Sequence, residues 1–308
     1  MIYTVTLNPA LDYVMRLSGP LALGETNRAE GLPLTCGGKG INVSLVLQQL
    51  DMPSVTLGFA AGQTGQWLIS MLEEKGLTQR FIHLQQGQTR INVKLKGDRE
   101  TEINGAGPRI TEEALHQLEA QLAVLTREDV LVMAGSVPAG MRADIYRRLM
   151  APAAEKGARC VVDTTGQALL ETLVCRPLLV KPNRAELAAL YGESLPDDTA
   201  VTRAAAWLQK QGAQNVLVSL GGDGALLRDE AGKTWRMPAV GGKPVNTVGA
   251  GDSMVAGFLT AYLRGEGSAR ALMLGSAAGG ATACSQQLAE RDGIFALLNE
   301  MKTPESRE

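Results

Sequence analysis

Short apolar runs and longer helical periodicities take turns along the chain. Ile2–Leu7 (IYTVTL), Val55–Ala60 (VTLGFA), Val130–Ala134 (VLVMA), Cys160–Val162 (CVV), Leu178–Val180 (LLV) and Val216–Leu220 (VLVSL) are continuous and rich in β-branched residues. Runs of this length predict strands covered on both faces, the habit of parallel sheets. Between them the spacing predicts helices over about 40–51, 64–76, 111–125, 141–157, 183–191 and 199–211, and three more near 250–264, 268–288 and 292–302. Strands alternating with helices give an α/β fold: a doubly wound, mostly parallel sheet with helices on both sides.

Two regions break the rhythm. Residues 11–36 carry no clear helical pattern, and residues 79–107 alternate apolar and polar side chains between turn signals. INVKLK places Ile91, Val93 and Leu95 on one face of a strand. Both regions read as a small β-sheet attached to the α/β core, a lid or a dimer surface, with strands at about 11–36 and 86–107 inside one domain spanning 1–308. The tail KTPESRE reads as frayed.

Composition narrows the function classes. A net charge of −2 offers no global attraction to nucleic acid or an anionic membrane. No window of 18 uncharged apolar residues predicts a membrane span, and MIYTVTLNPALD lacks the basic and apolar regions of a signal peptide. Cys36, Cys160, Cys175 and Cys284 form no C-x-x-C pair, so reduced thiols in a cytoplasmic protein are expected rather than disulfides or zinc. His83 and His116 are too few for a histidine metal site.

Four motifs follow apolar runs or open helices, where ligands of open α/β sheets gather. In NTVGAGDS, Gly249, Ala250 and Gly251 precede the apolar run MVAGFLTAYL, so the helix's free N–H groups would form an anion hole with Asp252 in the first turn. Asp252 then reads as a base for a hydroxyl nucleophile, or as a dipole-friendly helix starter. A helix N-terminus is expected to lower its pKa, which phosphoryl transfer tolerates because the acceptor proton leaves late. In VKPNRAEL, Asn183 and Glu186 share a helix's first turn, where they would organise Mg2+ through its waters or simply cap the helix. Lys181 would reach a phosphate. SLGGDGALL reads as backbone approaching a nucleotide, or as a hairpin turn.

TCGGKGIN looks like a P-loop and is not one. With Lys39 as the motif's lysine, Pro33 stands where the first glycine belongs and Gly40 where Ser or Thr belongs. The chain therefore has two separate glycine-rich candidate anion sites, at 37–40 and 249–251, as transfer between two ligands needs.

The ordered set TLNPALD, GGKGIN, TRINVK, AGSVPAG, VKPNRAE, SLGGDGA and TVGAGDS resembles the ribokinase-like carbohydrate kinases, in their hexose-phosphate branch, over about residues 1–290. The resemblance implies a ribokinase-like fold with a β-sheet lid, ATP and Mg2+, a sugar-phosphate acceptor and a homodimer joined through the lid. Fructose 1-phosphate stands ahead of tagatose 6-phosphate and fructose 6-phosphate as the implied acceptor. By the same resemblance, Asp252 deprotonates the sugar hydroxyl, and Gly249, Ala250 and Gly251 form the anion hole. Lys181, Asn183, Ser219, Gly221, Gly224, Thr247 and Ser285 lie at the nucleotide, and Glu186 holds Mg2+ through water. Asp12, Gly37, Gly38 and Asn42 surround the sugar. Arg90, Lys39 and Arg28 bind its phosphate, and Ser136 faces the substrate.

Overall fold

The computed structural model describes residues 1–307. The first part of the chain runs β1 (Ile2–Thr6), β2 (Ala10–Leu17), β3 (Ala29–Gly31), β4 (Thr35–Gly37), α1 (Lys39–Gln49), β5 (Ser54–Ala61), α2 (Gly62–Glu74) and β6 (Thr78–Leu84). It continues with β7 (Arg90–Lys96), β8 (Thr101–Asn104), α3 (Glu112–Leu122), β9 (Val130–Ala134), α4 (Ile145–Glu155), β10 (Arg159–Asp163), α5 (Gly166–Thr172) and β11 (Leu179–Val180). The last part holds α6 (Arg184–Tyr191), α7 (Asp198–Gln211), β12 (Asn215–Ser219), β13 (Ala225–Arg228), β14 (Thr234–Met237), α8 (Ala250–Leu263), α9 (Gly267–Ala283), α10 (Arg291–Glu300) and β15 (Glu305–Arg307).

Among the described residues the large sheet orders its strands β15-β14-β13-β12-β11-β10-β9-β1-β5-β6. From β6 to β12 every pairing is parallel; β13, β14 and β15 add an antiparallel edge. The continuous apolar runs are explained by two cores. In β9, Leu131 and Met133 pack with α3 and α4, while Val130, Val132 and Ala134 pack with α1, α8 and α9. Strand order reverses at β1, which pairs β5 on one side and β9 on the other, opening a crevice beyond their carboxyl ends.

A second, five-stranded sheet orders β3-β2-β7-β8, with β4 also on β2. The parallel β2–β7 register sets Asp12 opposite Asn92, with Lys94 one diagonal step away. The polar side of β7 is the sheltered one: Asn92 and Lys94 are buried, whereas Ile91 is 41% exposed.

Two expectations need correction, and one element was unforeseen. Residues 78–84 belong to the large sheet, as its edge strand parallel to β5, and not to the small one. An edge strand is covered on fewer sides, so its residues alternate as an independent ribbon's would. The tail is not wholly frayed, because Glu305–Arg307 pairs with β14; main-chain bonding there needs no apolar pattern. Helix α5 was not expected, its QALLET stretch being too short to show a period. Among the described residues no helix is long and apolar enough to cross a membrane.

Candidate active site

The crevice at the strand-order reversal holds a cleft of about 410 Å3. Thr6 ends β1 and Asn8 follows it, while Ala134 ends β9 and Gly135 and Ser136 follow it. Gly38, Lys39 and Asn42 come from α1 and its entry, Asp12 and Arg90 from the small sheet, and Thr247, Val248, Gly249, Gly251 and Asp252 from the start of α8.

Asp252 is the carboxylate that the start of α8 brings to this cleft. It lies in the first turn of α8 and is buried. Asn42 Nδ2 donates to its Oδ2 at 2.8 Å, so the TCGGKGIN segment fixes the carboxylate's orientation. Burial first, then the negative charge of Asp163, push its pKa up to about 6, against the pull of Lys39, Asn42 and Lys181. This corrects the expectation that the helix N-terminus would lower it: desolvation of a carboxylate outweighs the dipole here. The result is a stronger base that is still mostly ionised at neutral pH.

Asp163 was not found from the sequence. It ends β10, is fully buried, and its Oδ1 accepts from Lys39 Nζ at 3.0 Å and faces Lys181 Nζ at 3.5 Å. Its Oδ2 has no protein partner. Burial opposes its charge, but Lys181 and Lys39 together hold its carboxyl below the ordinary value. Asp163, Asp252, Lys39 and Lys181 thus form a charge-balanced cluster of two carboxylates and two ammonium groups. The available signal was positional: CVVDTT puts a carboxylate at the carboxyl end of an apolar strand, where the other site residues also stand.

Both lysines are engaged with Asp163. Lys39 also lines the cleft. Lys181 is buried beneath α8, where a side chain at Gly251 would strike its Nζ at 2.9 Å.

Asp12 accepts from Asn92 Nδ2 at 2.9 Å and pairs with Lys94 Nζ at 3.4 Å. These two partners on β7 were also missed; a lysine on an alternating strand carries no local mark of being buried. Arg90, on the same small sheet as Asp12, is held by its Nε and Nη2 donating to Asn8 O and its Nη1 to Gly105 O. Both acceptors are neutral, so the guanidinium keeps its charge for a ligand. Gly37 and Gly38 are glycines for the protein's own packing, since a Cβ would strike the Asp12 carboxylate or the Thr6 methyl, each at 2.7 Å. Arg28 is exposed on the segment before β3 and is not brought to this cleft.

The first turn of α8 supplies donors. Ala250 N–H is taken by Thr247 O and Ser253 N–H by Gly249 O, leaving those of Gly251 and Asp252 for a ligand. Gly249 sits at φ 79°, and a side chain there would strike Leu288, so only glycine starts this helix at this angle.

The remaining expected residues lie outside the cleft's lining. Asn183 and Glu186 form a reciprocal capping box at the start of α6, so the capping alternative is realised. Ser219 bridges Asn183 across β11 and β12. Gly221 opens into space, whereas a side chain at Gly224 would strike the backbone of Met237 and Pro238, which makes it a hairpin residue. Ser285 donates to Ala281 O at the end of α9.

Comparison with known proteins agrees with this geometry. The family described as pfkB family carbohydrate kinase matches residues 5–291, and the chain belongs to it. A 1-phosphofructokinase of Bacillus subtilis (strain 168) is 41% identical over 98% of this chain and 99% of its own. A D-tagatose-1-phosphate kinase of Bacillus licheniformis is 34% identical over 94% and 95%. The crystal structure of Escherichia coli phosphofructokinase-2 in complex with fructose-6-phosphate superposes with a TM-score of 0.89 at 30% identity, covering 97% of this chain and 98% of that one. The protein is therefore a carbohydrate kinase of ribokinase-like fold, a phosphotransferase acting on a sugar hydroxyl.

Proposed function

We propose that the protein transfers the γ-phosphoryl group of ATP to a ketohexose phosphate, fructose 1-phosphate before others, giving fructose 1,6-bisphosphate and ADP. The observation that carries this is the buried Asp252, raised to about 6, standing at a helix N-terminus in a cleft whose other wall presents Asp12 and Arg90. Arg90 and Ser136 hold the phosphate already on the sugar. Asp12, kept in place by Asn92 and Lys94, accepts hydrogen bonds from sugar hydroxyls. Asp252 takes the acceptor hydroxyl's proton as the oxygen attacks the γ-phosphorus. The N–H groups of Gly251 and Asp252 meet the negative charge on the transferring group. The nucleotide lies toward Thr247, Ser219 and Gly221.

Mg2+ would neutralise phosphate charge when bound. Among the described residues there is no cluster of three or more His, Cys, Asp or Glu side chains that could grip a metal. Asp163, whose Oδ2 is buried without a protein partner, and Glu186 would hold such a cation through its waters.

One set of coupled ADP assays with fructose 1-phosphate, fructose 6-phosphate, tagatose 1-phosphate and tagatose 6-phosphate tests the substrate. The highest kcat/KM is expected with fructose 1-phosphate, and the D-tagatose-1-phosphate kinase relative makes tagatose 1-phosphate the arm to beat. Arg90→Ala should raise the sugar-phosphate KM by roughly 10- to 100-fold, the weight of a charge-assisted hydrogen bond, and leave the ATP KM alone. An unchanged sugar KM would remove the phosphate from that wall.

The whole chain reads as one kinase domain with the small sheet as its lid and dimer surface. Ile91 and Val93 on β7 share an outer face with Ile103 on β8; Ile91 and Ile103 are 41% and 58% exposed. Sedimentation at micromolar concentration is expected to give a dimer, and Ile103→Lys a monomer; a wild-type monomer overturns the assignment.

A further inference from the structure

The end of α9 is tied to the start of α8 by a chain of three hydrogen bonds through two fully buried hydroxyls, Thr282 and Ser253. Ala289 N–H donates to Thr282 Oγ1 at 3.1 Å. Thr282 Oγ1 and Ser253 Oγ lie 2.7 Å apart. Ser253 Oγ lies 2.9 Å from Gly249 O. A backbone N–H only donates and a carbonyl only accepts, while each hydroxyl has one proton to give. The chain therefore runs one way. Thr282, having accepted from Ala289, gives its proton to Ser253, and Ser253 gives its proton to Gly249 O. Both buried hydroxyls are satisfied in this sense and in this sense alone.

The chain ends at the anion hole. Gly249 O already accepts from Ser253 N–H, and the hydroxyl adds a second donor to it. With two donors on it, this carbonyl is fixed in direction, and with it the first turn of α8. At the other end, the Ala289 anchor keeps Leu288 against Gly249, where a Cβ would come within 2.5 Å of Leu288 Cδ2. The loop entering α8 hangs on the same helix end: Val245 N–H and Asn246 N–H both donate to Ala283 O, and Asn246 Nδ2 donates to Gln286 O. The start of α8 therefore takes its position from α9.

We propose that Thr282, acting through Ser253, is a positioning residue for phosphoryl transfer: it sets the direction in which the Gly251 and Asp252 N–H groups and the Asp252 carboxylate face the transferring group. The proposal rests on the kinase reading of the cleft. A misplacement of reacting groups by a fraction of an ångström reduces turnover while leaving ground-state binding nearly intact.

Thr282→Val keeps the branched shape and removes the hydroxyl. It is expected to lower kcat by about 10- to 100-fold with both KM values within about twofold of wild type, and Thr282→Ser is expected to restore kcat. Ser253→Ala should reproduce the loss without altering α9. Hydrogen exchange, which needs no substrate, should show faster exchange in the segment 247–253 of Thr282→Val and unchanged exchange in β12. Wild-type kcat in Thr282→Val, or a loss that Thr282→Ser does not repair, overturns the proposal. So does unchanged exchange across 247–253. Wild-type protein run in the same assay separates the two readings: if it turns over no ketohexose phosphate, the kinase reading fails, and hydrogen exchange alone decides the relay.

Discussion

Asp252→Asn is expected to lower kcat by roughly 10^3- to 10^4-fold, the upper range for loss of a positioned general base, while the KM values change little. The carboxamide keeps the size and an acceptor oxygen for Asn42 Nδ2, so what is lost is basicity. Stability gives a sharp control. Folding raises the Asp252 pKa to about 6, so above its unfolded-state pKa the ionised carboxylate opposes folding. Removing that charge should leave the melting temperature unchanged or higher. The same shift sets the pH profile of the wild type. Activity should rise through about pH 6 as Asp252 loses its proton and be at its plateau by pH 7 to 8. An active Asp252→Asn enzyme with normal melting would dismiss Asp252 as the base; an acid limb near pH 4 would dismiss its raised pKa.

Asp163→Asn is expected to damage both stability and turnover. The change leaves Lys39 and Lys181 without their shared carboxylate, and removing one partner of a buried ion pair typically costs about 3–5 kcal/mol. For a chain of this size the melting temperature should fall by roughly 10 °C. Turnover should fall by about 100-fold through the misplaced Lys39 and the weakened base together. The pH profile tells the two causes apart. Asp163's charge is one of the forces raising the Asp252 pKa, so without it the two lysines pull that pKa down. The acid limb of kcat should move to lower pH than in the wild type. The stability contribution has its own sign: the Asp163 pKa is held low in the folded protein, so its stabilisation is present at neutral pH and is lost as pH falls. A variant with wild-type melting and an unmoved acid limb would show that the cluster is not coupled as described.

The parts of the site that were legible in the chain are those written locally. Gly249, Gly251 and Asp252 lie within four residues at a helix start, and their arrangement follows from helix geometry alone. The same holds for the capping pair Asn183 and Glu186, where spacing allowed capping or metal organisation and the hydrogen bonds realise the first. Asp163 and Lys94 escaped notice because their meaning depends on partners 124 and 82 residues away, Lys39 and Asp12. The pKa of Asp252 was misjudged for a related reason. The helix dipole is visible in a local motif, whereas burial and a second carboxylate arrive only when distant strands pack around it.

The sequence by itself determined the alternation of buried strands and helices, the failure of TCGGKGIN as a P-loop, and the separation of two glycine-rich sites. These are statements about periodicity and local backbone, which neighbouring residues dictate. Only the tertiary structure decided that the two sites face one another across the β1–β9 crevice, that Lys39 and Lys181 share Asp163, and that α9 holds α8 through Thr282 and Ser253. Electrostatic and hydrogen-bonding roles are set by which groups lie within a few ångströms once water is excluded. That neighbourhood is a property of the folded chain, assembled from segments that carry no mark of one another.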